Sequence, residues 1–485
     1  MPETEARRPH RPLHWPAIVS HLQPVVDEHG QPVFLVGGSV RDALAGRPVH
    51  DIDLALAHGG VRLARRIANA FEGHCYVLDR ERDVGRALLD VGQARVRVDV
   101  ARFRGPDLRA DLADRDFTIN AMAVELTGKC DSLIDPLGGE EDLRARRLRQ
   151  CHSRSLDNDP LRALRALRLA TQFGFRIEKE TLGSLRLARG HLEQCSAERI
   201  RDEFWRLLDL PRATAAIRVA AATGVLDVLM PEVAELRRRP ARGEAHENGW
   251  QECLAILERL QHVVSAFGER RDDQHGASFG AGMLVIQLDR WRAALQKHVR
   301  TQWPDQRSHR ALLFLGSLYS TLGQADQNAA PAMKRAKAFC LSNSECERLR
   351  GMLRWQHEVL QLDAGSDLAL HRFWRGAGDA GLDACLLAAT GLLGVAGNRL
   401  DQEDWITGVD HFSRILQARF ERMDTLIYPP PLLDGHGLMR ALKLSPGPLV
   451  GELLEQIREA QVTGTVATKH EALALARTLL GPETR

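Results

Sequence analysis

Apolar and polar positions follow two different periods along this chain. In the N-terminal part they mark short strands. Val33–Val36 is a compact apolar run, Asp51–Leu56 alternates acidic with apolar residues, and Arg95–Val100 (RVRVDV) sets valines against Arg95, Arg97 and Asp99. Beyond about Ser155 the period lengthens to that of helices. Ala197–Leu210 and Ala215–Leu229 read as amphipathic helices, and Leu312–Leu322 as another. Strands first and helices after predict an α+β chain: a small N-terminal mixed-sheet head followed by an elongated all-helical neck, body and tail. The boundaries fall at residues 1–30 for a flexible basic lead, 31–150 for the head, 151–235 for the neck, 236–365 for the body and 366–485 for the tail. Loop-like breaks lie near Arg238–Glu247 and Gly268–Gly282, and Pro429-Pro430-Pro431 interrupts the last part.

The punctuation of the first two strands carries chemistry. Gly37-Gly38 ends the first, and without side chains there backbone N–H groups can approach a phosphate. Ser39 reads as the cap of a helix that bears Arg41 and Asp42 and ends at Gly46, with Pro48 beyond. In the second strand Asp51 and Asp53 share one face because side chains alternate. Two adjacent carboxylates repel unless a cation lies between them, and hard oxygen ligands of this kind suit Mg²⁺ bound together with substrate phosphates. Asp99 is either a third member of this carboxylate group or an ordinary surface aspartate. Each fragment alone reads as an ordinary turn or a solvated strand edge. Glycines, arginine and carboxylates at one end of a sheet point instead to handling of a nucleoside triphosphate.

A second constellation lies at Asp159–Arg168, DPLRALRALR. Pro160 suits a first helical position, which makes Asp159 the expected N-cap. Arg162, Arg165 and Arg168 form a slowly rotating ridge opposite leucines. Such a ridge is either a solvated face or a reader: a carboxylate accepts from the amino group of cytosine or adenine, and an arginine donates to neighbouring ring acceptors.

Composition adds limits. A chain of 485 residues exceeds one compact core and calls for roughly two to four domains. The formal charge of +2 says nothing about partners, but Arg144, Arg146, Arg147, Arg149, Arg154, Arg162, Arg165 and Arg168 make a local basic zone suited to an RNA backbone. The 8 cysteines contain no C-x-x-C pair, so neither a zinc site nor a disulfide framework is expected, in keeping with a reducing cytoplasm. No apolar stretch is long enough for a signal peptide or a membrane span.

Several stretches resemble one family in the expected order. LVGGSVRDALAGRPVHDIDLAL, from Leu35, is similar to the first motif of the class II tRNA nucleotidyltransferase and bacterial poly(A) polymerase family of the polymerase-β superfamily. DRDFTINAMA at Asp114–Ala123 resembles its second motif, LIDPLGGEEDLRARRLR at Leu133–Arg149 the segment that closes the catalytic head, and DPLRALRALR its nucleotide-selecting motif. The resemblance implies template-independent addition of C and A to tRNA 3′ ends from CTP and ATP, with release of pyrophosphate. It makes Asp51 and Asp53 the Mg²⁺ ligands, with Asp99 as a catalytic companion. It sets Gly37, Gly38, Arg41 and Arg115 around the triphosphate, Asn120 at the sugar, Asp159 and Arg162 at the base, and Arg165 and Arg168 toward the nucleotide or RNA. Two departures stand out: Asn158 occupies the place of the usual glutamate, and Asp114 that of a frequent first arginine. A CC-adding or A-adding specialist, a poly(A) polymerase and a catalytically silent RNA-binding scaffold are the alternatives. The short connection Phe103–Asp114 leaves the CC-adding one open, since CC-adding members of the family have a shortened flexible loop there. Residues from about 240 to 365 resemble an HD phosphohydrolase domain in which Tyr319-Ser320 replaces His-Asp, with His246 and His357 as remnants of other ligand positions. This implies a structural body without phosphohydrolase activity. The tail from Leu432 to Val466 resembles the segment that holds tRNA, and Gly447 and Gly451 are expected to permit close backbone approach there.

Overall fold

A computed structural model describes residues 6–92, 94–127, 129–242, 244–267, 279–323, 325–396 and 402–480. The chain divides into two compact units: residues 1–204 with 219–229, and residues 205–218 with 230–485.

The first unit is built on a seven-stranded sheet of order β3-β4-β5-β2-β1-β6-β7. The strands are β1 (Val33–Val36), β2 (Asp51–Leu56), β3 (His74–Asp79), β4 (Val84–Val91), β5 (Ala94–Arg102), β6 (Ala123–Glu125) and β7 (Leu133–Ile134). Only β2 and β5 run parallel; β1, β4 and their other partners are antiparallel. Helices α1 (Ala17–Asp27) and α3 (Gly60–Ala70) cover one face, where Leu22, Val26, Ile52, Leu54, Leu63, Ile67, Leu89 and Val98 are almost wholly buried. Alternation along β2 therefore sends Asp51 and Asp53 to the opposite face. That face is partly covered by α4 (Leu108–Ala113), whose Leu108 and Leu112 pack with Val36 and Ala55. The carboxylate end stays open.

The two site-forming strands of the sequence are present at Val33–Val36 and Asp51–Leu56, and the RVRVDV pattern lies within β5. Four details differ. Residues 6–27 are not a loose lead: Arg7 exchanges backbone hydrogen bonds with Leu133 and its guanidinium reaches Glu140 at 2.6 Å, while α1 inserts into the core. Ser39 does not cap α2 (Gly38–Leu44); Gly37 is the N-cap, and the Ser39 hydroxyl is used elsewhere. The neck is not wholly helical, since a two-stranded parallel sheet pairs Arg147–Leu148 with Arg176–Ile177. The helix expected over Ala215–Leu229 is broken at Gly224, which takes φ +75° between Ala213–Ala222 and Val225–Leu229.

The second unit is helical. Helices Gly249–Ala266, His309–Tyr319, Asn343–Gln361 and Ala380–Ala396 bury Phe314, Leu353, Leu387 and their neighbours. Tyr319 is fully buried and donates to Glu232 at 2.5 Å, which also receives two bonds from Arg335 at 2.9 Å. A tyrosine tied into such a triad is structural. A smaller core formed by Leu433, Leu438, Val450, Leu453, Ile457 and Val466 organises residues 432–480. Gly447 and Gly451 both face open space, so no close approach within the protein requires them. The break expected over 268–282 ends in a helix starting at Phe279; residues 268–278 lie outside those described. Among the described residues no helix is long and apolar enough to cross a membrane. All 8 cysteines are unbridged.

Candidate active site

The turn after β1 sets the geometry. Gly37 has φ +69° and ψ −132°, a conformation that favours glycine, and a Cβ there would lie 3.0 Å from Arg115 Nη1 and 3.3 Å from Asp53 Oδ2. A Cβ on Gly38 would face Arg41 Nη2 at 3.5 Å and Asp53 Oδ2 at 3.8 Å. The glycine pair is thus the floor of a cradle walled by Asp53, Arg115 and Arg41. The Ser39 hydroxyl locks this turn to β2, donating to the Asp51 carbonyl at 3.1 Å and accepting from the Asp53 N–H at 2.8 Å.

Cross-strand register arranges the carboxylates. Parallel pairing aligns Asp53 with Asp99 and Asp51 with Arg97. Burial, then Asp99 and Asp51, push the Asp53 carboxyl above its ordinary value, against the pull of Arg115 and Arg165. Such surplus negative charge fits a divalent cation. The other two carboxylates each hold an arginine: Asp51 binds Arg97, and Asp99 takes a bidentate pair from Arg86 at 2.7 and 2.9 Å. Among the described residues no group of three or more His, Cys, Asp or Glu side chains is arranged to hold a metal ion. Asp51 and Asp53 share a face of β2, and Asp99 is engaged by Arg86.

The second motif folds around buried acids that sequence inspection missed. Arg115 is clamped by Asp111 at 2.8 and 3.1 Å. The nearly buried Arg41 donates to Asn120 Oδ1 at 2.7 Å and to Asp42, and stacks its guanidinium 4.6 Å from the Phe173 ring centre. Asn120 Nδ2 in turn donates to Asp116 at 3.0 Å, and Asp116 meets Arg165 at 2.7 Å. Burial would raise the Asp116 carboxyl, but Arg165 and the hydrogen bonds from Asn120 and Phe117 hold it below its usual value. A continuous chain therefore runs Arg41–Asn120–Asp116–Arg165. The signal for Asp111 and Asp116 was their i, i+4 spacing from Arg115 and Asn120.

The proposed base readers lie in the same unit. Helix α7 (Arg162–Phe173), following the turns of α5 (Gly139–Arg144) and α6 (Ser155–Asn158), has Leu161 rather than Asp159 as its N-cap. The Asp159 carboxylate still accepts from the Leu161 N–H at 3.3 Å, and its other oxygen is held by Arg199 at 2.7 Å. Arg162 is docked on the second motif, donating to the carbonyls of Asp114 and Arg115 at 2.8 and 3.1 Å and to Ser155 at 2.7 Å. Arg168 pairs with the buried Glu203. Part of the basic zone is paired from within: Arg147 and Arg149 share the buried Asp142, at 2.5 and 2.8 Å, and Arg165 meets Asp116, so fewer of those arginines remain for RNA than their density suggests.

Comparison with known proteins bears on this arrangement. Residues 33–149 match the Poly A polymerase head domain, residues 174–236 the probable RNA and SrmB-binding site of polymerase A, and residues 430–476 the putative tRNA nucleotidyltransferase domain 2. A CC-adding tRNA nucleotidyltransferase of Geobacter sulfurreducens is 32% identical over 90% of this chain and 90% of its own length. The chain belongs to the tRNA nucleotidyltransferase family. An A-adding tRNA nucleotidyltransferase of Deinococcus radiodurans is 31% identical over 91% of this chain and 94% of its own. Among solved structures, a CCA-adding enzyme complexed with ATP superposes with a TM-score of 0.63 at 22% identity, covering 96% of this chain and 95% of its own. That likeness speaks to the fold: a mixed-sheet head followed by helices. This nucleotidyltransferase therefore has the architecture and the sequence of its family over nearly its whole length.

Proposed function

We propose that this nucleotidyltransferase extends the 3′ end of tRNA with cytidine and adenosine from CTP and ATP, releasing pyrophosphate in the cytoplasm. The observation that carries the reading is the docking of Arg162 on the carbonyls of Asp114 and Arg115. It ties a base-reading pair to the same segment whose Arg115 overlooks the Gly37–Gly38 cradle. In this reading the cradle and Arg41 take the triphosphate, Arg115 neutralises its charge, and Asn120, oriented by Asp116, meets the sugar. Asp159 and Arg162 accept from and donate to the edge of cytosine or adenine; uracil lacks the amino group that Asp159 needs. Asp51 and Asp53 would hold Mg²⁺, which when bound activates the 3′-hydroxyl and steadies the leaving pyrophosphate. Asp99 holds Arg86 beside them, and Arg165 and Arg168 brace the reading helix.

A second reading, that addition stops after two cytidines, is favoured by a specific feature. Only residues 103–107 separate β5 from α4, and α4 leads directly to Arg115. Relatives from Synechocystis and Thermus thermophilus that match about nine-tenths of this chain are also named CC-adding. One experiment tests both readings: tRNAs ending before the first C, after CC and after CCA are incubated with CTP, ATP or both, and the products sequenced. Full CCA supports the first reading and arrest at CC the second. A long adenosine tail, or no extension, overturns both.

A further inference from the structure

The three ridge arginines of α7 keep different company. Arg165 meets Asp116 and Arg168 meets Glu203, whereas Arg162 has no acid partner among the described residues. Neutral oxygens alone hold its guanidinium. Nη1 donates to the Ser155 hydroxyl at 2.7 Å and to the Arg115 carbonyl at 3.1 Å, and Nη2 donates to the Asp114 carbonyl at 2.8 Å. A guanidinium carries five N–H donors, two on each Nη and one on Nε. Three are spent here, so the Nε–H and one Nη2–H have no partner among the described residues. Two donors and an uncompensated positive charge are left for a ligand.

Ser155 makes the shortest of these contacts and is wholly buried. Its one proton goes to backbone carbonyls, Asp116 at 3.1 Å with Arg115 at 3.5 Å, which turns the lone pairs of the oxygen toward Arg162. The serine opens α6, and its own N–H is held on the His152 carbonyl at 3.0 Å. Local backbone therefore fixes the hydroxyl, and the hydroxyl fixes the guanidinium. Without it one Nη1–H loses its acceptor, and because an unpaired buried donor is costly the guanidinium turns to regain one.

We propose that Ser155 is a positioning residue for base selection: it fixes which donors of Arg162 face the nucleotide, and so how strictly uracil is refused. The inference rests on the proposed function and deepens it. Beside the amino group that Asp159 accepts from, cytosine and adenine present a ring nitrogen with a lone pair; uracil and guanine present a ring N–H at the corresponding place. An arginine donor held rigidly there pairs with the first two and opposes the others. A donor free to swing escapes the clash, so the refusal weakens with the anchoring.

The full chain is assayed on tRNA ending before the first C. Ser155→Ala is expected to lower the CTP-over-UTP ratio of kcat/KM about tenfold, through a higher KM for CTP, with KM for tRNA and inhibition by pyrophosphate unchanged. Pyrophosphate has no base and reports the phosphate cradle alone. Because the serine acts through Arg162, adding Ser155→Ala to Arg162→Ala is expected to change the ratio by less than about twofold. An unchanged ratio in Ser155→Ala overturns the proposal. So does a full further loss in the double variant, or a pyrophosphate inhibition constant that rises as much as KM for CTP, since either marks a general loosening of the site. If the wild type extends no tRNA, the proposed function fails on its own, and calorimetric Kd values for CTP and UTP with Mg²⁺ still decide the role of the serine. A CTP preference that Ser155→Ala reduces supports it; equal Kd ratios in the two proteins overturn it.

Discussion

Asp53 concentrates the electrostatics of the candidate site in one side chain. It stands between the cradle and Asp99, and its charge is disfavoured by burial and by two neighbouring carboxylates. Removing it should relieve repulsion in the free protein yet abolish the reaction. Asp53→Ala is expected to lower nucleotide incorporation by about a thousandfold or more, the loss of several kcal/mol of charge stabilisation, with Kd for tRNA within about twofold in filter binding. Retained turnover would remove Asp53 from the proposed metal site. Base selection is argued at Asp159, whose carboxylate is shared between Leu161 and Arg199. A good bidentate contact discriminates by about 1–3 kcal/mol. Asp159→Ala should therefore admit UTP and GTP at rates within about tenfold of CTP, as competition assays with all four nucleotides would reveal. Arg199 was invisible to sequence inspection because it lies 40 residues from Asp159.

At the level of elements, what matters is how turns and short helices are pinned to the sheet. Asp142 in α5 is completely buried and accepts from Thr118 of the second motif at 2.7 Å as well as from Arg147 and Arg149. Losing this acid strands two guanidinium groups and a hydroxyl. Asp142→Ala should cost about 3 kcal/mol in urea unfolding of the transition that reports the sheet. Strand positions were legible wherever one face was acidic or cationic and the other apolar, as in β2 and the core of β5. Strands β3 and β4 escaped because Tyr76 and Leu88 put apolar residues on the open face, and a register shift between Val77 and Asp79 breaks the alternation. Ser39 misled for a related reason: a serine before a helix resembles a cap, but here the nearby β2 backbone competes for its hydroxyl.

For the molecule as a whole, stability depends on buried charge in the helical unit as well as on apolar cores. Burial alone would raise the Asp383 carboxyl; His298 at 2.7 Å and the guanidinium of Arg348 outweigh it and bring it to about 2. The unfolded value is near 3.8, so this carboxylate stabilises the fold above pH 4 and loses that contribution as pH falls from about 4 to about 2. The contribution is about 2–3 kcal/mol. Thermal melts across this range should show a steep acid-side loss that Asp383→Asn flattens; an equally steep slope in the variant would refute the assignment. The sequence by itself determined the division into a strand-built head and a helical remainder, the turn at Gly37-Gly38, the shared face of Asp51 and Asp53, and the order of motifs, because these follow from local periodicity and backbone conformation. Tertiary structure alone decided that Asp99 is held by Arg86, that Arg41 reaches Arg165 through Asn120 and Asp116, that part of the arginine zone is paired with buried acids, and that Tyr76 stands in register with Asp53. Those facts depend on strand order and on partners distant in the chain, which no local pattern encodes.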